Sequence, residues 1–397
     1  MITLKKKFSD SFNFVYNKLV LVRVDLNIPI VDGKVTDTTR IEKILPTINK
    51  LLENKAKVIL IAHMGRPKGN WVQEFSLRVL VNLVSNYLDK KIFFCDDSII
   101  DLQKINLANK FKDYDLVLLE NIRFYPQEEK NDKDFTKKLS SLGDIFINEC
   151  FSGSHRNHSS ISGIPSHIPS FPGQLLENEI QNLKNLFLIS NQLNSIAVLG
   201  GSKISTKIKL IKFYAERFEK VLIGGAMANT LLKSNGVEIG ASVYEKKMIE
   251  FSKEMIGSFH NKLLLPVDFI VCDKKIKSKP RVKIVEDILK DDFIYDIGPK
   301  TRVLFFNEIV NANIALWNGP LGMFETKPFD EGTSFVLKSI KANKNKNFFS
   351  VAGGGDTISI INKSNCYNDF SFVSTGGGAF LEFIQGTSMP GLLSLNT

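Results

Sequence analysis

Short, almost continuously apolar runs alternate along the chain with stretches whose apolar residues recur at helical spacing. In the first half, Lys18–Val24, Val58–Ala62, Ile92–Phe94, Leu116–Leu119 and Asp144–Ile147 read as strands. Thr38–Asn54, Phe75–Asp89 and Asp132–Leu142 read as helices between them. Strands of this unbroken apolar kind, separated by helices, predict a parallel sheet covered on both faces. The second half repeats the scheme, with strands at Ser195–Leu199, Val221–Ile223, Ile314–Trp317, Phe348–Val351 and Phe372–Ser374. Its helices are expected to start near Ser205, Ala226, Thr301, Asp356 and Gly378. Pro165, Pro169 and Pro172 mark a loop between the halves, and Gln174–Leu188 follows with one amphipathic face. The pattern therefore predicts an α/β protein of two doubly wound parallel-sheet (Rossmann-like) domains joined by a helix.

Length agrees, because 397 residues exceed what one hydrophobic core usually serves. No apolar run suits a signal peptide or a membrane span. Four scattered cysteines and only five histidines argue against a zinc site or a disulfide framework, and favour the cytoplasm. The net charge of +10 is lysine spread over predicted helix faces, without the basic–aromatic stripe of a nucleic-acid binder. No nucleic-acid or membrane partner is expected.

Arginine and glycine carry more information. Only nine of the 52 basic residues are Arg, yet Arg40, Arg66, Arg123 and Arg156 all fall near predicted strand ends or helix starts of the first half. Arg grips phosphate and carboxylate bidentately. Asp25 and Asn27, two apart after the first strand, point to one face, and His63 stands with Arg66 around Gly65. Arg23, inside the first strand, is expected to make a structural ion pair. Glycine concentrates in the other half, with 19 of 26 residues after position 180. There GGSKISTK (200–207), GGAMANT (224–230), WNGPLGMFE (317–325), GGGDT (353–357) and STGGG (374–378) follow predicted strands. Gly lets backbone amides approach phosphate closely, and a helix N-terminus welcomes anions. Lys203 and Lys207 are expected on one helical face, and Asp356 where it can hold Mg²⁺ beside bound phosphates. Neither a Walker A loop nor GxGxxG after the first strand is present, which opposes a P-loop enzyme and a dinucleotide enzyme.

The ordered series RVDLNIP (23–29), HMGRP (63–67), ENIRF (120–124), NECFSGSHRNH (148–158), GGSKISTK, LPVD (265–268), DIGP (296–299), WNGPLGMFE, GGGDT and STGGG resembles the phosphoglycerate kinase family from about Lys18 to Gly391. The resemblance implies two domains facing a cleft that closes by hinge motion, and reversible transfer of a phosphoryl group from 1,3-bisphosphoglycerate to ADP, giving 3-phosphoglycerate and Mg-ATP in glycolysis. It implies a monomer with a glycerate-binding domain at 1–172, a connecting helix at 173–188, a Mg-nucleotide domain at 189–386 and a returning tail at 387–397. Asp25, Asn27, Arg40, His63, Arg66, Arg123 and Arg156 would bind the glycerate substrate. Gly201, Ser202, Gly224, Gly225, Pro320 and Met323 would line the adenine pocket. Asn318 and Glu325 would meet ribose or phosphates, with Lys207, Gly354, Gly355 and Thr357 near the phosphates and Asp356 on the metal. Arg40, Lys203, Gly376 and Gly377 would serve the phosphoryl group in transit. Glu149 and Cys150 depart from the family's usual Asp and Ala, Leu26 and Met64 from Phe and Leu, and Ser202 from Ala. A relative that binds phosphorylated metabolites or a partner protein without turnover is the rival class, and intact Arg40, Lys203, Lys207 and Asp356 oppose it.

Overall fold

A computed structural model describes residues 3–189 and 194–396, so the outermost expected domain limits, residues 1 and 397, lie outside the described residues. The chain divides into two compact units, one of residues 1–181 with 386–397 and the other of residues 182–385. Each is built on a six-stranded parallel sheet. In the first, the strands lie in the order Ile92–Cys95, Leu116–Leu119, Lys57–Ile61, Leu19–Arg23, Ile145–Asn148 and Ser170–Pro172. Leu19–Arg23 and Ile145–Asn148 are buried at every position, as a strand covered on both faces requires. Their side chains feed two apolar layers, one around Val20, Val22 and Val58, the other around Leu21, Ile59 and Phe146.

The second sheet runs Leu263–Leu264, Lys220–Ile223, Ser195–Leu199, Ile314–Asn318, Phe349–Ala352 and Phe372–Val373. The strand order reverses between Ser195–Leu199 and Ile314–Asn318. Such a reversal parts the following connections to opposite faces and opens a crevice at the strand ends, where open α/β sheets bind ligands.

Several details differ from the sequence pattern. The helix expected over Phe75–Asp89 shortens to Val81–Leu88, preceded by two 3₁₀ turns. Glu120 causes this, accepting the Leu77 amide (2.9 Å) and the Ser76 hydroxyl (2.6 Å) and holding the backbone in a turn. The helix expected near Ser205 starts at Ile208. There Glu245 accepts the Ser205 amide at 2.8 Å, so Lys203 and Lys207 do not share a helical face. The proline-marked loop contains an edge strand, Ser170–Pro172, a place that tolerates a missing N–H. An antiparallel sheet of Asp268–Cys272, Arg281–Ile284 and Phe293–Ile297 escaped the pattern reading altogether.

Two motif carboxylates prove to be helix anchors. Asp268, fully buried, accepts the amides of Lys300 (2.8 Å) and Thr301 (2.7 Å) and the Thr301 hydroxyl, satisfying the start of the helix Pro299–Val310. A Cβ on Gly298 would stand 2.3 Å from the Asp268 carboxyl carbon, so that cap needs the glycine. Asp296 accepts the amides of Ile297 (2.9 Å) and Gly332 (2.6 Å).

Candidate active site

In the first unit the strand Leu19–Arg23 delivers Asp25 and Asn27 to the sheet edge. Asp25 takes the Arg40 guanidinium at 3.1 Å and the Asn27 amide at 2.9 Å, and Ser152 donates to its second oxygen. Arg40 also donates to the Asn27 carbonyl. The Asn27 side chain accepts the Gly65 amide at 2.8 Å, while Arg123 donates to the Gly65 carbonyl at 3.0 Å. The strand-end segments 25–27 and 63–66 are thus locked together with Arg40 and Arg123. Arg66 is exposed and Arg156 half-buried, and among the described residues neither has an ion pair that would consume its charge.

His63 is buried in the middle of this group. Burial first, then the charges of Arg23, Arg123, Arg40 and Arg156, hold its pKa well below the ordinary imidazole value. Arg123 feels the same crowding, and burial with Arg23 and Arg156 brings it down to about 10. Four cations pressing on one neutral ring form a site that is electrostatically unsatisfied until an anion enters.

Arg23 corrects an expectation. It makes no ion pair among the described residues. Its Nε donates to Ser160 (2.9 Å), Nη1 donates to the Val24 carbonyl, and Nη2 lies 3.0 Å from His63 Nδ1. The nearby carboxylate, Glu128, reaches it only through the Ser160 hydroxyl. Strand position alone could not have found that ring.

In the second unit, Lys207 sits at the point where strand order reverses. Its ammonium donates to the Gly200 carbonyl at 2.6 Å and to Asn318 Oδ1 at 2.7 Å, bridging the ends of the two strands. Three N–H bonds are available and two are used. Burial lowers its pKa to about 8, against the opposing pull of Asp356. Asn318 is engaged at both ends, since Nδ2 donates to the Gly353 carbonyl at 2.6 Å. Thr357 is buried and accepts the Gly319 amide at 2.8 Å. Gly354, with φ 102°, opens the helix Gly355–Lys363, and a Cβ there would stand 2.4 Å from Asn318 Nδ2. Asp356 is exposed in the first turn of that helix. Gly376 already donates its amide to Ser374 Oγ (3.1 Å), and Gly377, φ 53°, precedes the helix Gly378–Ile384.

Beside this point lies a cavity of about 490 Å³ lined by Gly201, Ser202, Gly225, Pro320, Met323, Glu325 and Asp356. Gly224 stands behind the wall, donating its amide to the Leu199 carbonyl (2.9 Å) with its Cα against Leu321. Lys203 is exposed, close enough to Glu245 that, against the upward push of burial, it joins the Ser205 bonds in lowering that carboxyl's pKa. The sequence reading missed Phe293, Tyr295, Phe324 and Asn229, which also line it. The first two come from the antiparallel sheet, whose strand FIYDI is short and does not alternate between polar and apolar residues. Asn229 is 1% exposed, and its Oδ1 has no partner among the described residues. A lined apolar cavity with a few polar atoms, beside a lysine at a strand reversal, suits a nucleotide base and its phosphates.

The fold and these two sites define a two-unit α/β phosphotransferase. The phosphoglycerate kinase family model matches residues 10–387. The chain is 40% identical over 391 residues to phosphoglycerate kinase of Rhizobium meliloti (strain 1021), covering 97% of this chain and 98% of that one. It is 41% identical over 387 residues to that of Orientia tsutsugamushi (strain Ikeda), covering 96% and 95%. The structure of phosphoglycerate kinase from Coxiella burnetii superposes with TM-score 0.83 at 33% identity, covering 96% of both chains. That from Pyrococcus horikoshii OT3 does so with TM-score 0.83 at 31% identity, covering 98% of both. The chain belongs to the phosphoglycerate kinase family, and is a phosphotransferase with a carboxyl group as acceptor.

Proposed function

We propose that residues 1–172 hold 3-phosphoglycerate or 1,3-bisphosphoglycerate, that residues 189–386 hold ADP or ATP with Mg²⁺, and that 173–188 and the tail 387–397 serve the motion that brings the two ligands into line. The observation that carries this reading is the set of four guanidiniums around buried His63, which an anionic substrate would neutralise. Asp25 and Asn27 meet the substrate's hydroxyl and carboxyl end, and Arg66, Arg123 and Arg156 its phosphate. His63 donates a hydrogen bond to it. Gly201, Ser202, Gly225, Pro320 and Met323 receive the adenine, with Gly224 as their support. Asn318 and Glu325 stand toward ribose and phosphates. Lys207 places its spare N–H on a phosphate oxygen, beside the first turn formed by Gly354, Gly355, Asp356 and Thr357.

The donor set fits a nucleotide-borne Mg²⁺. Among the described residues there is no cluster of three or more metal-ligating side chains, and the exposed carboxylates on the cavity wall are Asp356, in the first turn at the phosphate end, and Glu325. Mg²⁺ is commonly held in this way, by one or two carboxylates together with substrate phosphates. When bound it would neutralise phosphate charge.

The acceptor carboxylate of 3-phosphoglycerate is ionised at neutral pH, so no general base is required. Catalysis then consists of positioning and of stabilising the charge of a loose phosphoryl-transfer state. Arg40 and Lys203 act on the equatorial oxygens, with the Gly376–Gly377 backbone beside the moving group. Exclusion of water at that moment protects the acyl phosphate. A coupled assay for ATP formed from 1,3-bisphosphoglycerate and ADP, with and without Mg²⁺, tests the reading. Tight binding of both ligands without turnover would reject it.

A further inference from the structure

Arg23 lies among the arginines around His63, and the substrate roles above do not use it. It is 1% exposed and fixed on three sides, by Ser160 at Nε, the Val24 carbonyl at Nη1 and His63 at Nη2. Ser160 in turn donates to Glu128 Oε1 at 2.6 Å, and its amide donates to Oε2 at 2.9 Å, so a buried carboxylate anchors the far end. A guanidinium carries only N–H donors. At 3.0 Å from Arg23 Nη2, His63 Nδ1 must therefore present its lone pair. In a neutral ring the single proton then resides on Nε2. His63 Nε2 has no hydrogen-bond partner among the described residues and is not fully enclosed, which leaves its N–H for a ligand.

We propose that Arg23 is a positioning residue that holds His63 in the Nε2–H tautomer, so that the imidazole offers a donor to an anionic oxygen of the glycerate substrate. The opposite tautomer would turn a lone pair toward that anion and lose the hydrogen bond. This rests on the reading of the first unit as the glycerate site. The consequence for the reaction is a ground-state and transition-state contact of equal strength, which acts on KM and leaves kcat little changed.

The test begins with the full-length wild-type protein. It holds five histidines, so imidazole ¹⁵N spectra of the wild type and of His63→Gln assign His63 by difference. The expected result at neutral pH, before any ligand is added, is an unprotonated Nδ1 and a protonated Nε2 at His63. Addition of 3-phosphoglycerate should shift the Nε2 signal. Arg23→Met removes the donor at similar length and should give a mixture of tautomers, with KM for 3-phosphoglycerate raised about 10-fold and kcat within a few-fold. Arg23→Lys keeps a donor and should restore the Nδ1 acceptor and most of the lost KM. A wild-type spectrum with Nδ1–H, or with an imidazolium, overturns the proposal even if Arg23→Met does not fold. So does an Arg23→Met protein with the tautomer and KM of the wild type. The expected tautomer with no response to 3-phosphoglycerate would instead overturn the glycerate reading and leave the Arg23–His63 pairing standing.

Discussion

Binding of ADP above pH 8 should draw a proton into the protein, through Lys207. In the empty site burial brings this ammonium down to about 8 from an ordinary 10.5, with Asp356 opposing the change. Keeping the charge there costs roughly 3 kcal/mol, at about 1.4 kcal/mol for each pH unit. A phosphate oxygen taking the spare N–H places a negative charge about 4 Å away, worth about 4 kcal/mol at the effective dielectric of such sites. That gain outweighs the cost, so bound Lys207 stays protonated well above pH 9. The sign follows directly. Below pH 8 free and bound states carry the same proton, and ADP affinity is flat with respect to this group. Above pH 8 the free enzyme has lost it, and Kd rises by up to about 10-fold per pH unit. Titration calorimetry in two buffers of different ionisation enthalpy reads the proton directly. Lys207→Met should bind ADP roughly 10–100-fold more weakly at pH 7.5 and take up no proton, the loss expected for a charged hydrogen bond. Lys207→Arg stays charged throughout and should bind without proton uptake. Equal uptake in wild type and Lys207→Met between pH 8 and 9.5 would refute the reasoning, as would no uptake in the wild type.

Arg40→Ala and Lys203→Ala should each lower kcat about 10²–10³-fold, and turnover within a few-fold of wild type would remove them from the transfer step. Glu149 is fully buried, accepting from Thr47 and from the amides of Leu175 and Leu176, and burial, the largest influence, raises its carboxyl to about 7 from 4.5. The folded state thus keeps a proton that the unfolded chain releases, so this group's contribution to stability falls as pH rises from 4.5 through 7, by about 3 kcal/mol. Melting temperatures of Glu149→Gln relative to wild type should therefore rise between pH 5 and pH 8; parallel curves would rule out this titration. Gly225→Ala would set a Cβ 2.7 Å from the Gly201 carbonyl and 2.8 Å from its amide at φ +69°, with backbone on both sides. We expect ADP binding to weaken while far-ultraviolet circular dichroism stays native, and unchanged ADP affinity would place the base elsewhere. Truncation after Gly386 removes Met389, Leu392 and Leu395, all buried, together with the Gly391 amide's bond to the Ser154 carbonyl (2.9 Å). At about 1.5–3 kcal/mol for each buried side chain the first unit should melt several degrees lower, and an unchanged melt would show that the tail adds nothing.

Local pattern was enough to place most of the elements. The apolar runs at 19–23, 116–119, 195–199 and 314–318 announce buried parallel strands because a strand covered on both faces has no polar positions to show. The strand-end positions of Asp25, His63, Arg123, Gly200 and Asn318 followed, since ligands gather beyond those ends. Where a neighbour distant in sequence decides the outcome, the pattern was silent. Glu245 holds Ser205 in a turn and separates Lys203 from Lys207. Asp268 and Asp296, which the sequence showed only as parts of motifs, spend oxygens on amides 32 to 36 residues away. Phe293 and Tyr295 reach the cavity only because an antiparallel sheet carries them there.

The sequence by itself determined which residues could meet an anion: few arginines at strand ends in one half, glycine-rich strand ends in the other. Tertiary structure decided what each of them does. Lys207 became the lysine at the strand reversal because two strands far apart in the chain close on its ammonium from Gly200 and Asn318. Arg23 became the partner of His63 because parallel pairing of Leu19–Arg23 with Lys57–Ile61 brings their ends side by side. Spacing along a chain records what a residue can donate or accept, but packing alone chooses the atom at the other end.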